Sequence, residues 1–290
     1  MDNLITRDIE KQIIQWLDSK EIIAIRGSRQ SGKTTFLKRL QNILQEKYKN
    51  KENIHLISFE DDIEKDKFET NPKAYINYFL QNNENHKSTK HFFLLDEVQY
   101  IENAGKLLKL IYDSIENIKI IITGSSTLDL NEIGSYLVGR VLLFEMYPFS
   151  FSEFLRARNE KLAVYYNKYK INLKKPMLHK EKIIFLPELN EFMKEYIIYG
   201  GYPAVILENN FEKKKVLLKN LFLTYLEKDI VKIYGIRYKQ KVSDLIKHLA
   251  SINAGIVNYN ELSGLTGLYD KEVKEILSIL EDTYTIQLIK

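Results

Sequence analysis

The sequence predicts an α/β protein: a parallel sheet covered on both faces in its first half, followed by a mainly helical second half. Three observations carry this. Apolar runs of strand length alternate with stretches of helical periodicity from residue 21 to residue 146, the pattern of a parallel sheet with helices on either side. A glycine-rich octet, Gly27-Ser28-Arg29-Gln30-Ser31-Gly32-Lys33-Thr34, stands between the first apolar run and the first long helix. Beyond Pro148 the spacing turns helical, which predicts a boundary near residue 150.

The octet is preceded by Glu21-Ile22-Ile23-Ala24-Ile25-Arg26, which suits a buried strand, and followed by Leu37, Leu40 and Leu44 at helical spacing. It reads G-x-x-x-x-G-K-[ST], the phosphate-binding loop pattern. Glycines let the backbone close around an anion with its amides inward. The next helix offers its positive N-terminal end to the phosphates. The candidate nucleotide contacts are Gly27, Ser28, Arg29, Gln30, Ser31, Gly32, Lys33, Thr34 and Thr35. Lys33 is placed to reach the β- and γ-phosphates, and Thr34 to hold Mg²⁺. The competing reading, a chance glycine turn, does not explain the strand and helix on either side.

The chain has 290 residues, which suggests two or three domains. Its 44% apolar share is ordinary for a globular protein. No run of about 18 apolar residues predicts a membrane span, and the N-terminus lacks signal-peptide order. The absence of cysteine excludes disulfides and thiolate metal sites, and fits a cytoplasmic location. A net charge of +4 permits a nucleic-acid partner without demanding one.

In chain order, Ile9, Ile13, Trp16 and Leu17 predict a helix over 8–19. Ile54 to Phe59 is a second strand, with His55 an ordinary strand residue. The acids that follow, Glu60-Asp61-Asp62, either face a nucleotide site at the strand end or form a turn or helix cap; the second is the commoner use. Pro72 opens a helix striped by Tyr75, Ile76, Phe79 and Leu80, and residues 81–90 form a polar loop. His91-Phe92-Phe93-Leu94-Leu95-Asp96-Glu97 is a buried strand ending in two acids, the Walker B form. There Asp96 would complete the Mg²⁺ site and Glu97 would act as general base on the attacking water. A helix over 104–115 leads to the strand Ile118–Thr123, after which Ser125 or Ser126 either senses a γ-phosphate or caps the next helix. Arg140, just before the strand Val141–Met146, is either an arginine finger, in cis or from a neighbouring subunit, or a structural ion pair.

These stretches resemble a known family. The phosphate loop with its internal arginine, Leu94-Leu95-Asp96-Glu97-Val98-Gln99, and Ile122-Thr123-Gly124-Ser125-Ser126 are similar to prokaryotic P-loop ATPases of the AAA+/STAND type (AAA_14-like). In that family the ATPase core precedes a domain of unknown function called DUF4143. The resemblance extends through Leu137–Val141, Tyr147–Leu155, Tyr199-Gly200-Gly201-Tyr202-Pro203 and Tyr225–Ile230. It implies ATP rather than a guanine nucleotide, an additional-strand ATPase core over 1–150, a helical region over 151–235 and a winged-helix segment over 236–290. It also implies a further, nuclease-like C-terminal domain. The chain stops at Lys290, so it is either truncated or built without that domain, and no nuclease activity is carried over.

The second half speaks less clearly. Lys168, Lys170, Lys174, Lys175, Lys180 and Lys182, with Tyr165, Tyr166 and Tyr169, suit either a nucleic-acid contact or, more commonly, a solvated lysine-rich insertion. Residues 213–234 read as one long helix, and 239–289 as helix, helix, turn, helix and a strand over Tyr284–Ile289, the winged-helix order. The helix from Asp270 to Glu281 carries Lys271 and Lys274 against Asp270, Glu272, Glu275 and Glu281, which suits a protein or nucleotide partner better than DNA. Three readings follow: a Mg²⁺-dependent ATPase that drives domain rearrangement, a slow nucleotide-gated switch acting on a protein partner, and a winged-helix DNA-binding regulator. Each is compatible with an oligomer.

Overall fold

The computed structural model describes residues 4–49, 51–81, 89–124, 135–169, 186–226 and 238–289. The chain divides into two compact units, Met1–Leu207 and Glu208–Lys290. The described residues between 151 and 207 fall in the same unit as the sheet.

Among the described residues, unit one holds five parallel strands, β1 (Ile22–Arg26), β2 (Ile54–Ser58), β3 (His91–Asp96), β4 (Ile118–Gly124) and β5 (Val141–Glu145), in the order β2-β3-β4-β1-β5. β4 thus lies between the strand feeding the phosphate loop and the strand carrying Asp96. That inserted strand is the additional-strand arrangement the resemblance implied. Strands alternate with α1 (Glu10–Ile14), α2 (Lys33–Tyr48), α3 (Asp62–Thr70), α4 (Pro72–Gln81) and α5 (Ala104–Ser114). The alternation of β1 splits its side chains between two cores: Ile22 and Ala24 join Phe59, Phe68 and Ile76, whereas Ile23 and Ile25 meet Phe36, Leu37, Leu40 and Leu44 of α2. Each of the buried Ile, Leu and Phe side chains contributes about 1.5–3 kcal/mol.

α6 (Phe151–Arg158), α7 (Glu160–Tyr169), α8 (Leu186–Tyr199) and the short α9 (Pro203–Ile206) complete the unit around Phe149, Phe151, Phe154, Leu155 and Ile206. Ser150 caps α6 through a reciprocal box with Glu153. The N-terminal segment is strapped down by arginines: Arg39 of α2 donates to the Leu4 carbonyl (2.7 Å) and Thr6 hydroxyl (2.8 Å), and Arg156 of α6 to the Thr6 carbonyl (2.7 Å).

The structure bears on several expectations. Helix α1 is only five residues long, and the chain from 15 to 20 forms turns. Asp61 caps α3 by accepting the Ile63 amide (2.9 Å), the commoner of its two readings. In unit two, α10 (Phe211–Tyr225), α11 (Lys239–Ser251), α12 (Tyr259–Thr266) and α13 (Asp270–Asp282) surround Leu226, Val242, Leu262, Val273 and Leu280. The expected strand over 284–289 is not formed. Tyr284 turns at φ 60°, and the Thr285 and Ile286 amides fold back onto the Leu280 carbonyl instead of pairing with a neighbouring strand. Among the described residues, unit two contains no strand, so the wing of a winged helix is not present there.

Candidate functional site

Both halves of the expected site lie at the C-terminal edge of the sheet, where ligands of open α/β folds bind. β1 ends at Arg26 and runs into the loop Gly27–Gly32, and α2 begins at Lys33. Gly32 adopts φ 94°, a left-handed conformation that suits glycine and lets the loop enter the helix. Gly27 has no room for a side chain, since a Cβ there would lie 2.0 Å from the Met146 carbonyl oxygen. Lys33 is buried, and its Nζ donates to the Gly27 (3.0 Å) and Ser28 (2.9 Å) carbonyls. The hydroxyls of Ser28 and Ser31 are buried without a hydrogen-bond partner. Thr34 and Thr35 are exposed on the first turn of α2. Orphaned hydroxyls and a buried ammonium beside a helix N-terminus fit an anionic group.

One strand beyond the inserted β4, β3 ends with buried Asp96. Its carboxylate accepts the Thr123 hydroxyl from β4, and the same hydroxyl accepts the Glu97 amide (3.1 Å). Glu97 then turns at φ 56°, and its carboxylate accepts the Gln99 side-chain amide. Thr123 and Gln99 join the candidate site, and the sequence reading does not single them out. The signal for Thr123 is a polar residue closing an apolar strand beside the acidic one. The register that aligns it, Leu95 opposite Ile122, appears only when the strands pair.

Arg140 is elsewhere. It precedes Val141, which pairs with Ile22 at the start of β1, whereas the loop leaves the end of β1. The two are therefore separated by the length of a five-residue strand, about 16 Å. Arg140 pairs there with Asp113 (3.0 Å) and lies over the Tyr112 ring. In this structure Arg140 makes an ion pair at the opposite end of β1 from the phosphate loop. Ser125 and Ser126 lie outside the described residues, as do Lys170 to Lys182.

A turn from the far end of unit one completes the surroundings. The Gly201 carbonyl accepts the Phe149 amide (2.7 Å), and Tyr196 donates to the Phe149 carbonyl (2.7 Å). Pro203 comes within 3.5 Å of where a Cβ on Gly32 would stand. The glycine–proline turn therefore sits against the phosphate loop, a closeness with no trace in residues about 170 positions apart in sequence.

Fold and site together define a P-loop core with an inserted strand between the loop-bearing strand and the acidic one. Residues 19–155 match the family described as AAA domain, and residues 190–290 match a domain of unknown function (DUF8612), where the resemblance had implied DUF4143. An uncharacterized protein of Methanocaldococcus jannaschii is 30% identical over 99% of this chain and 59% of its own length. One of Haemophilus influenzae is 28% identical over 87% of this chain and 57% of its own length. The chain thus spans little more than half of these relatives. Among solved structures, the replication initiator DnaA bound to AMPPCP and single-stranded DNA aligns over 94% of this chain and 86% of that one, with 18% identity and a TM-score of 0.40. The Aeropyrum pernix ORC1 protein in complex with DNA aligns over 96% and 84%, with 10% identity and a TM-score of 0.39. No described helix is long and apolar enough to cross a membrane.

Proposed function

We propose that the chain binds MgATP and hydrolyses it, using the turnover to change the arrangement of its domains. The observation that carries this is the meeting of two strand ends: the loop with its buried Lys33 and orphaned serine hydroxyls, and the Asp96–Thr123–Glu97 cluster two strands away. In this reading the loop amides and Lys33 hold the phosphates, and Lys33 exchanges its two carbonyl partners for phosphate oxygens. Thr34 and Asp96 hold Mg²⁺. No cluster of three or more His, Asp or Glu side chains able to hold a metal occurs among the described residues. Mg²⁺ in nucleotide sites takes one or two protein ligands beside the phosphates and keeps several waters. Bound there, Mg²⁺ supplies neutralisation of charge on the phosphates. Glu97 orients and deprotonates the attacking water, with its backbone set by Thr123. Adenine specificity and any role of Arg140 toward a neighbouring copy belong to the same proposal.

A slow switch shares this site and differs only in rate. Steady-state turnover of MgATP, beside nucleotide binding, separates the readings. The Glu97→Gln variant should bind ATP as the wild type does and lose turnover by about a hundredfold or more, the usual contribution of a general base. Lys33→Ala should lose binding itself. Undiminished turnover in Glu97→Gln would remove Glu97 from the mechanism, and tight binding by Lys33→Ala would remove the loop. Turnover near zero in the wild type, with nucleotide tightly held, would favour the switch.

A further inference from the structure

The site so far leaves out one buried cation. Arg7 comes from the N-terminal segment and is 5% exposed. Each of its three guanidinium nitrogens has its own acceptor. Nε donates to Glu153 Oε1 (2.9 Å), Nη1 to the carbonyl of Ser31 (2.9 Å) and Nη2 to the carbonyl of Tyr147 (2.6 Å). The guanidinium lies 4.6 Å from the Phe149 ring centre. Both oxygens of Glu153 are engaged: besides Arg7 it accepts the amides of Asp8 (2.6 Å) and Ser150 (2.8 Å). Arg7 is thus held by the stretch from Tyr147 to Glu153 on one side while it touches the phosphate loop on the other.

What it touches decides the geometry of an anion site. A peptide unit is planar and trans, so its C=O and N–H point in opposite directions. Drawing the Ser31 carbonyl toward Arg7 turns the Gly32 amide away from Arg7. Gly32, at φ 94°, accepts that orientation without strain. Lys33 performs the same service for the Gly27 and Ser28 carbonyls. Carbonyl dipoles left facing the loop would repel phosphate, whereas amides attract it.

We infer that Arg7 is a positioning residue for the phosphate loop: it holds the Ser31–Gly32 peptide with its amide presented to a bound phosphate, anchored through Glu153 to the first turn of α6. This rests on the nucleotide-binding reading. Arginine is required because three acceptors in three directions need three nitrogens on one rigid plane, which lysine lacks.

The test is ADP binding by calorimetry to the 290-residue chain as wild type, Arg7→Lys, Arg7→Met and Glu153→Gln, with melting temperatures and the ¹⁵N-resolved Gly32 amide shift at saturating ADP. Both Arg7 variants should bind ADP about tenfold or more weakly, the cost of losing a charge-assisted hydrogen bond that organises the site. The ADP-induced shift of the Gly32 amide should shrink in both, a change that general loosening of the fold would not single out. Wild-type affinity in a folded Arg7 variant overturns the inference, as does weaker binding with the Gly32 shift intact. Should neither Arg7 variant fold, Glu153→Gln decides. It keeps an acceptor oxygen for the helix cap but frees Arg7 from its ion pair, so ADP should weaken about threefold; unchanged affinity there overturns the inference too. A wild type that binds no ADP brings down the nucleotide reading itself, a result distinguishable from all of these.

Discussion

His55 reads in the sequence as an ordinary strand residue, and its neighbours give it a consequence for stability. It stands on β2 with its ring packed against Phe79 and Phe93, and with Nε2 3.4 Å from His91 Nδ1. Burial, and secondarily the neighbouring His91, push its pKa from 6.5 down to about 4. Unfolded, the side chain takes up a proton near pH 6.5; folded, it resists until about pH 4. Between these values the unfolded chain binds more protons, so stability falls as pH drops through this window, and above it His55 adds no slope. Because His55 is only half-buried, solvent screening reduces the effect, and it should account for a loss on the order of 2 kcal/mol. In the His55→Leu variant, the fall in melting temperature between about pH 7.5 and about pH 5, a range spanning most of that window, should be clearly smaller than in the wild type. An equal fall in both would assign the acid sensitivity to other groups.

At the scale of elements, glycines separate tight contacts from free ones. A Cβ on Gly201 would lie 2.3 Å from the Phe149 carbonyl oxygen, so Gly201→Ala must push the turn 200–203 off the strand exit it clamps. A loss of about 1–3 kcal/mol is expected, as for other forced overpacking. Gly264, inside α12, has nothing within 4 Å of its would-be Cβ, and Gly264→Ala should stabilise by about 0.5–1 kcal/mol. Denaturant melts of the two variants check the opposite signs; the same sign in both would contradict the packing described. This contrast also marks what the sequence could say. All five strands are legible there to within a residue or two, because β1 and β3 are buried on both faces and read as unbroken apolar runs. Ser150 and Glu153 are spaced as a capping box. Arg7 carries no signal, since its three acceptors come from residues 31, 147 and 153. The strand expected over 284–289 does not form because alternation shows only a willingness to pair, and no described strand in unit two offers a partner.

For the whole molecule, the division at Leu207 bears on where the binding site is complete. The phosphate loop, Asp96, Thr123, Glu97, Arg7, Glu153 and the turn at Gly201–Pro203 all belong to Met1–Leu207. That unit closes its own cores on both faces of the sheet and around Phe154, whereas Glu208–Lys290 has a separate core around Leu226, Leu245, Val273 and Leu280. Compact units with their own cores are able to fold alone. Residues 1–207 produced without the rest should therefore melt cooperatively and bind ADP within about threefold of the full chain, because the phosphate loop keeps every contact named above. Turnover is the more discriminating measurement. If hydrolysis is coupled to domain rearrangement, removing unit two should change the rate while leaving ADP affinity in place. A fragment that folds but binds ADP more than about tenfold more weakly would show that unit two supplies part of the site. A fragment that binds and turns over like the full chain would separate hydrolysis from any rearrangement of unit two, and would leave the proposed coupling without support.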